Sequence, residues 1–215
     1  MEQVSQLFEF EKSLQHGQAK LVKINITEEQ AMWANLRAVR DGGSIFAVNP
    51  GQYVQLIVDG TLYMSDTQME QRSNLEFVRK AHGDVMIAGL GVGLIIWNLK
   101  SKIESGEVKS ITVYEKFQDV IDLVTPIIKS WLPKDFKFEV ICKDILTYDP
   151  DKTEKYDTIY FDIWPDICGD YYPEMADLHN RWKTHKRIGG WTDSWMKKVM
   201  LELHRQDEED DEYYW

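Results

Sequence analysis

Cysteine is scarce in this chain, with two in 215 residues, Cys142 and Cys168. That number cannot build a disulfide framework, and both stand in segments that read as buried or nearly so. Two reduced thiols in a cytoplasmic protein are expected. Metal-ligand spacing is lacking as well. The five histidines, at 16, 82, 179, 185 and 204, form neither an HExxH nor an HxH pattern, so no metal site is expected. Long hydrophobic runs are missing: the longest uncharged, mostly apolar stretch, 85–98, is too short to span a bilayer and holds three glycines. The opening MEQVSQLFEFEKS lacks the basic-then-apolar order of a signal peptide. No membrane partner is expected. An excess of positive charge is missing too. Lys and Arg number 25 against 36 Asp and Glu, a net charge of −11, and the body stays acidic without the six consecutive acids at 207–212. Duplex binders usually present a basic face, so this balance argues against a nucleic-acid partner.

What is present is enough apolar material, 43% of residues with 12% aromatic, to bury one sizeable core with a small appendage. Residues 21–26 read as a strand. Thr27-Glu28-Glu29-Gln30 matches a capping box that opens a helix, and Gly42-Gly43 stops it. Strands are predicted at 44–48 and 52–58. Asp59-Gly60 then signals a hairpin that returns through 61–64. The segment 66–82 has the period of one amphipathic helix.

From residue 84 strands and helices alternate. Strands are predicted at 85–88, 110–114, 137–142 and 158–161, each apolar enough to be buried on both faces. Helices are predicted at 94–103, at 117–131 with a break near Pro126, and at 172–183. A last strand at 185–191 and a last helix at 193–205 follow. Such alternation predicts an α/β fold with a Rossmann-like parallel sheet and helices on both faces. Too few residues remain after the fourth strand for a full sheet, so it is expected to be C-terminally shortened to five strands. The organisation expected is an N-terminal α+β cap with a β-hairpin over 1–64, the Rossmann-like domain over 65–206, and a solvated acidic tail over 207–215.

The chemistry-bearing segment is Val85-Met86-Ile87-Ala88-Gly89-Leu90-Gly91-Val92-Gly93. A strand running into Gly89, Gly91 and Gly93 lets a ligand approach backbone with no Cβ in the way. It is not GxGxxG, because Leu stands at 94. Regular strand ends follow. Glu115, after the second strand, is placed to accept from ribose hydroxyls. Asp144 and Ile145, after the third, can accept from an adenine amino group and pack on its ring. Asp162 ends the fourth. Any one of these acids could simply cap a helix; four strand ends aimed at one adenosine-type ligand is the coherent alternative.

On these residues the chain resembles class I S-adenosylmethionine-dependent methyltransferases, and within them the spermidine synthase-like branch, over roughly 52–166. The string Phe161-Asp162-Ile163-Trp164-Pro165-Asp166 is also similar to that of small methyltransferase-like proteins of phages and prophages. The resemblance implies S-adenosylmethionine as cofactor, the 58–65 hairpin as a lid, Glu115 on the ribose, Asp144 and Ile145 on the adenine, and Asp162 toward the methionine end and the reacting centre. Asp162 is the first candidate for general base or positioning, with Asp166 second.

Two departures count against polyamine synthesis. Where polyamine synthases carry an acid in the glycine loop, this chain has Val92. Pro165 stands where they carry a second acid, with Asp166 one residue late. The activity expected is therefore methyl transfer to a small-molecule or protein acceptor. The alternatives are an S-adenosylmethionine-degrading lyase, a NAD-dependent oxidoreductase or a non-catalytic nucleoside-binding module. The sequence is compatible with a homodimer. Trp164 and Tyr63 read equally as pocket walls or as core aromatics, His179 as a helix-surface residue, and Gly189-Gly190-Trp191 as a turn.

Overall fold

Val85, Met86, Ile87 and Ala88 are wholly buried, which a strand achieves only inside a sheet covered on both faces. In the computed structural model, which describes residues 8–40 and 47–213, this run lies in β5 (Gly83–Ala88), the middle of a five-stranded sheet. Its neighbours are β6 (Val108–Glu115) on one side and β8 (Tyr156–Phe161) on the other, with β7 (Lys137–Cys142) and β9 (Lys186–Ser194) at the edges. Every pairing is parallel. The chain runs outward from β5 through β6 to β7, then returns to the other side of β5 for β8 and β9. Right-handed crossovers then place α4 (Leu94–Asn98), α5 (Lys100–Glu104) and α6 (Gln118–Trp131) on one face and α7 (Tyr172–Trp182) on the other. The order reverses between β5 and β8, and the crevice above their carboxyl ends is where open α/β sheets bind ligands. The expected α/β, Rossmann-like class and the five strands are what the structure shows.

A second sheet, antiparallel in the order β1-β2-β3-β4, is built from β1 (Ser13–His16), β2 (Ala19–Ile26), β3 (Gly51–Val58) and β4 (Thr61–Ser65). The capping box forms as expected: Thr27 and Gln30 exchange bonds at 2.9 and 3.2 Å at the start of α1 (Glu28–Arg40). Asp59 and Gly60 take φ of 50° and 76°, the left-handed pair of a type I′ hairpin turn. The sheet is tied to α6 where the Gln18 amide donates to Asp119 Oδ2 at 2.9 Å. β1 had no signal in the sequence. The strand expected at 44–48 does not form at 47–48. Residues 44–46 and the Gly42-Gly43 stop lie outside the described residues.

Several expectations need correction. The helix expected over 66–82 is two, α2 (Gln68–Ser73) and α3 (Leu75–Lys80). They part at Asn74, whose side-chain amide takes the Glu70 carbonyl at 3.0 Å. Residues 94–103 are also split, at Leu99, where an amide-to-carbonyl bond to Ile96 tightens the turn. Helix α6 in contrast runs unbroken through Pro126. Pro126 and Asp122 are exposed, so the Asp122 carbonyl left without an amide partner can take water, while buried Val120, Leu123, Val124 and Ile128 hold the helix in place. Strand β7 is not buried on both faces but alternates, as an edge strand does, and Cys142 at its end is exposed. The Gly189-Gly190 stretch is no turn; it is an irregular part of β9 where the register against β8 shifts. The acidic run continues α8 (Lys197–Tyr213) as helix, with 206–209 exposed. No described helix is long and apolar enough to cross a membrane.

Candidate functional site

Loops leaving β5, β6, β7 and β8 meet the β3–β4 hairpin around a cavity of about 330 Å³. Six residues singled out from the sequence line it: Gly89, Gly91, Glu115, Asp144, Ile145 and Asp162. Two do not. Gly93 has φ +77° and faces away; a Cβ there would press on Ile128 at 2.7 Å, so its need for glycine is helix packing. Asp166 is exposed and interacts with Tyr171 at the surface, not within the cavity lining.

The β6 end is fixed by main-chain donors. Glu115 is 8% exposed. Its Oε2 accepts from the Leu90 amide at 3.0 Å and its Oε1 from the Phe117 amide at 2.9 Å. Burial pushes its carboxyl upward, opposed by these amides and that of Lys116. A carboxylate offers about four acceptor positions, so one further donor from the cavity can be met. Asp144 caps its own turn through the Leu146 amide at 3.0 Å. Ile145 beside it is buried.

The β8 end carries a carboxylate pair that sequence reasoning missed. Glu70 on α2 lines the same cavity as Asp162. Burial, and then the neighbouring Asp162 charge, push Glu70 up to about 8. Burial raises Asp162 to about 7, while a hydrogen bond from Asn74 pulls the other way. Asn74 is fully buried and accepts from the Tyr160 hydroxyl at 2.7 Å. Asn74 thus sits at the helix break and supports Asp162. The sequence places Glu70 on the polar face of a single amphipathic helix, which gave no sign of its place in the cavity.

Aromatic residues close this end. Trp164 is 6% exposed, with its indole nitrogen donating to Glu174 at 3.0 Å. Trp195 donates to Ser73 at 2.8 Å, and both line the cavity with Tyr171 and Glu174. Tyr63 is also a wall, set edge-on to Phe117 at 5.3 Å. Lys116 and Lys143 add two cations on the β6–β7 side. His179 is not a surface residue: it is half-buried against Ser194 at 2.7 Å, and burial lowers it to about 4. No group of three or more potential metal ligands occurs among the described residues.

No family model and no curated protein matches the chain. Solved structures do. One is an S-adenosylmethionine-dependent methyltransferase from Clostridium acetobutylicum, at 19% identity over 58% of this chain and 46% of that one, TM-score 0.39. Another is the StiE O-MT region, at 16% identity over 58% and 42%, TM-score 0.43. A third is the methyltransferase subunit of a type I restriction-modification system from Streptococcus thermophilus, at 13% identity over 58% and 31%, TM-score 0.40. The match spans less than half the length of each of these proteins.

Proposed function

We propose that the chain is an S-adenosylmethionine-dependent methyltransferase acting on a small-molecule or protein acceptor. The observation that carries this reading is the convergence of Gly89, Gly91, Glu115, Asp144, Ile145 and Asp162 on one cavity at the strand-order reversal. The residues fit an adenosine-type group: a nearly buried carboxylate with an acceptor position to spare, an aspartate followed by a buried aliphatic, and a loop with glycines at 89 and 91 on the cavity.

When bound, the cofactor supplies an electrophilic methyl group on a sulfonium. Glu115 would accept from one ribose hydroxyl with its remaining acceptor position. Asp144 would accept from the adenine amino group, and Ile145 would pack on the ring. Trp164, Trp195 and Tyr171 exclude water around the acceptor. Asp162 takes the proton released from the attacking atom, and Glu70 shares it, because two close carboxyls raised to about 7 and 8 hold one proton between them near neutrality. Positioning in line and removal of one proton is most of what such a transfer asks of a protein.

Aminopropyl transfer is disfavoured. Val92 is wholly buried, apolar and outside the cavity lining, and the displaced Asp166 lies outside it too. Incubation with labelled S-adenosylmethionine and a panel of small nucleophiles, amines, phenols and carboxylates, tests the reading. Label transfer that Asp162→Asn abolishes supports it. Cofactor breakdown at equal rate without acceptor would instead establish the lyase.

A further inference from the structure

We propose that Met64 is a displaceable stopper: its thioether occupies the glycine loop, and the amino-acid portion of the ligand replaces it. The identity of that ligand rests on the S-adenosylmethionine reading; the contact itself does not.

Strand geometry places the residue deliberately. In β4, Met64 pairs with Leu56 and Leu62 with Ile57, leaving Tyr63 without a partner. Successive residues of a regular strand point to opposite faces. The extra residue at Tyr63 breaks that alternation, as bulges do, so Tyr63 and Met64 both line the cavity. Tyr63 is braced on the Phe117 ring. Met64 reaches the loop beyond it.

There the Val92 amide donates to Met64 Sδ at 3.1 Å. Gly91, with φ +53°, makes the approach feasible, because a Cβ at that position would overlap Met64 Sδ. The close approach that the bare loop permits is therefore made by the protein's own side chain. A thioether is a weak acceptor on a flexible, unbranched stem. A carboxylate or carbonyl oxygen is a stronger partner for the same amide, so a ligand carrying one replaces Met64 at little cost. An amino-acid tail with its own sulfur has both the required oxygen and a stem of similar volume.

The experiment compares S-adenosylhomocysteine with 5′-methylthioadenosine, which keeps the nucleoside and sulfur but lacks the amino-acid tail. Calorimetric affinities are measured for the wild type, Met64→Ala and Met64→Leu. Removing the stopper should tighten S-adenosylhomocysteine roughly two- to tenfold, the worth of one ordinary hydrogen bond, and leave methylthioadenosine unchanged. Leu, which keeps the bulk and loses the acceptor, should fall between. Weaker S-adenosylhomocysteine binding by Met64→Ala would make Met64 a wall rather than a stopper and overturn the proposal, as would unchanged affinity or equal changes for both ligands. If no protein binds either nucleoside, the cofactor reading fails, and hydrogen exchange at the Val92 amide decides the stopper without ligand. Faster exchange in Met64→Ala sustains it, and equal exchange refutes it.

Discussion

Tyr160 near the carboxyl end of β8 donates its hydroxyl to Asn74 Oδ1 at 2.7 Å, in the break between α2 and α3. Both residues are buried. This bond ties the helix break to β8, and Glu70 on the preceding helix lines the same cavity as Asp162.

Asn74→Ala should therefore affect both stability and the site. It leaves the buried Tyr160 hydroxyl without its partner, at about 1–3 kcal/mol, while the Glu70 carbonyl keeps the Ser73 hydroxyl as donor at 3.1 Å. In a domain of this size that loss corresponds to a melting temperature lower by roughly 2–12 °C. Calorimetry checks the fall, and an unchanged melting temperature would show that water replaces the amide.

The raised carboxyl of Glu70 predicts a pH dependence of stability. Below the ordinary value of 4.5 folded and unfolded chains both hold the proton. Between there and about 8 the folded chain alone retains it, so this group's contribution declines as pH rises. Glu70→Gln removes the penalty of charging a buried group. The variant should melt higher than the wild type at pH 8.5, with the difference shrinking toward pH 5. A constant difference across that range would mean that Glu70 ionises freely.

Glu115 has a double role that the sequence alone did not reveal. Glu115→Ala would leave the Leu90 and Phe117 amides, which donate to it at 3.0 and 2.9 Å, without acceptors. Loss of ligand binding in that variant should therefore come with a measurable loss of stability, on the order of 1–3 kcal/mol per amide. Glu115→Gln keeps one acceptor oxygen and the shape. It should unfold closer to the wild type in urea while still losing nucleoside affinity tenfold or more, since the charge-assisted acceptor is gone. Wild-type affinity in Glu115→Gln would remove Glu115 from the binding role.

Strands β5, β6 and β8 were legible because each is a short apolar run closed by glycine or an acid, and their ends carry Gly89, Glu115 and Asp162 as expected. The capping box at Thr27 and the Asp59-Gly60 turn are local chemistry and read directly. What escaped the sequence depends on distant partners. Asn74 breaks a helix whose apolar period is continuous, because its side chain is held by Tyr160, 86 positions away. Tyr63 and Met64 share a wall only because of a bulge that no residue type announces. Asp166 was a second candidate only by its nearness to the acid of the resembled synthases, and it is exposed outside the cavity lining.

A polyamine-forming activity should be absent. With decarboxylated S-adenosylmethionine and putrescine, no spermidine is expected above background, because a buried Val92 offers no charge to an ammonium. Turnover near one per second, ordinary for an enzyme, would reverse the assignment of the loop.

The central claim is that the cavity at the carboxyl ends of β5, β6 and β8 holds an S-adenosyl group. Titration calorimetry of the wild-type chain with S-adenosylhomocysteine and, separately, with NAD tests it most directly. The account predicts saturable binding of S-adenosylhomocysteine at one site per chain, weakened tenfold or more by Glu115→Gln, and no heat of binding with NAD. Binding of NAD, or S-adenosylhomocysteine binding that Glu115→Gln leaves intact, would contradict it.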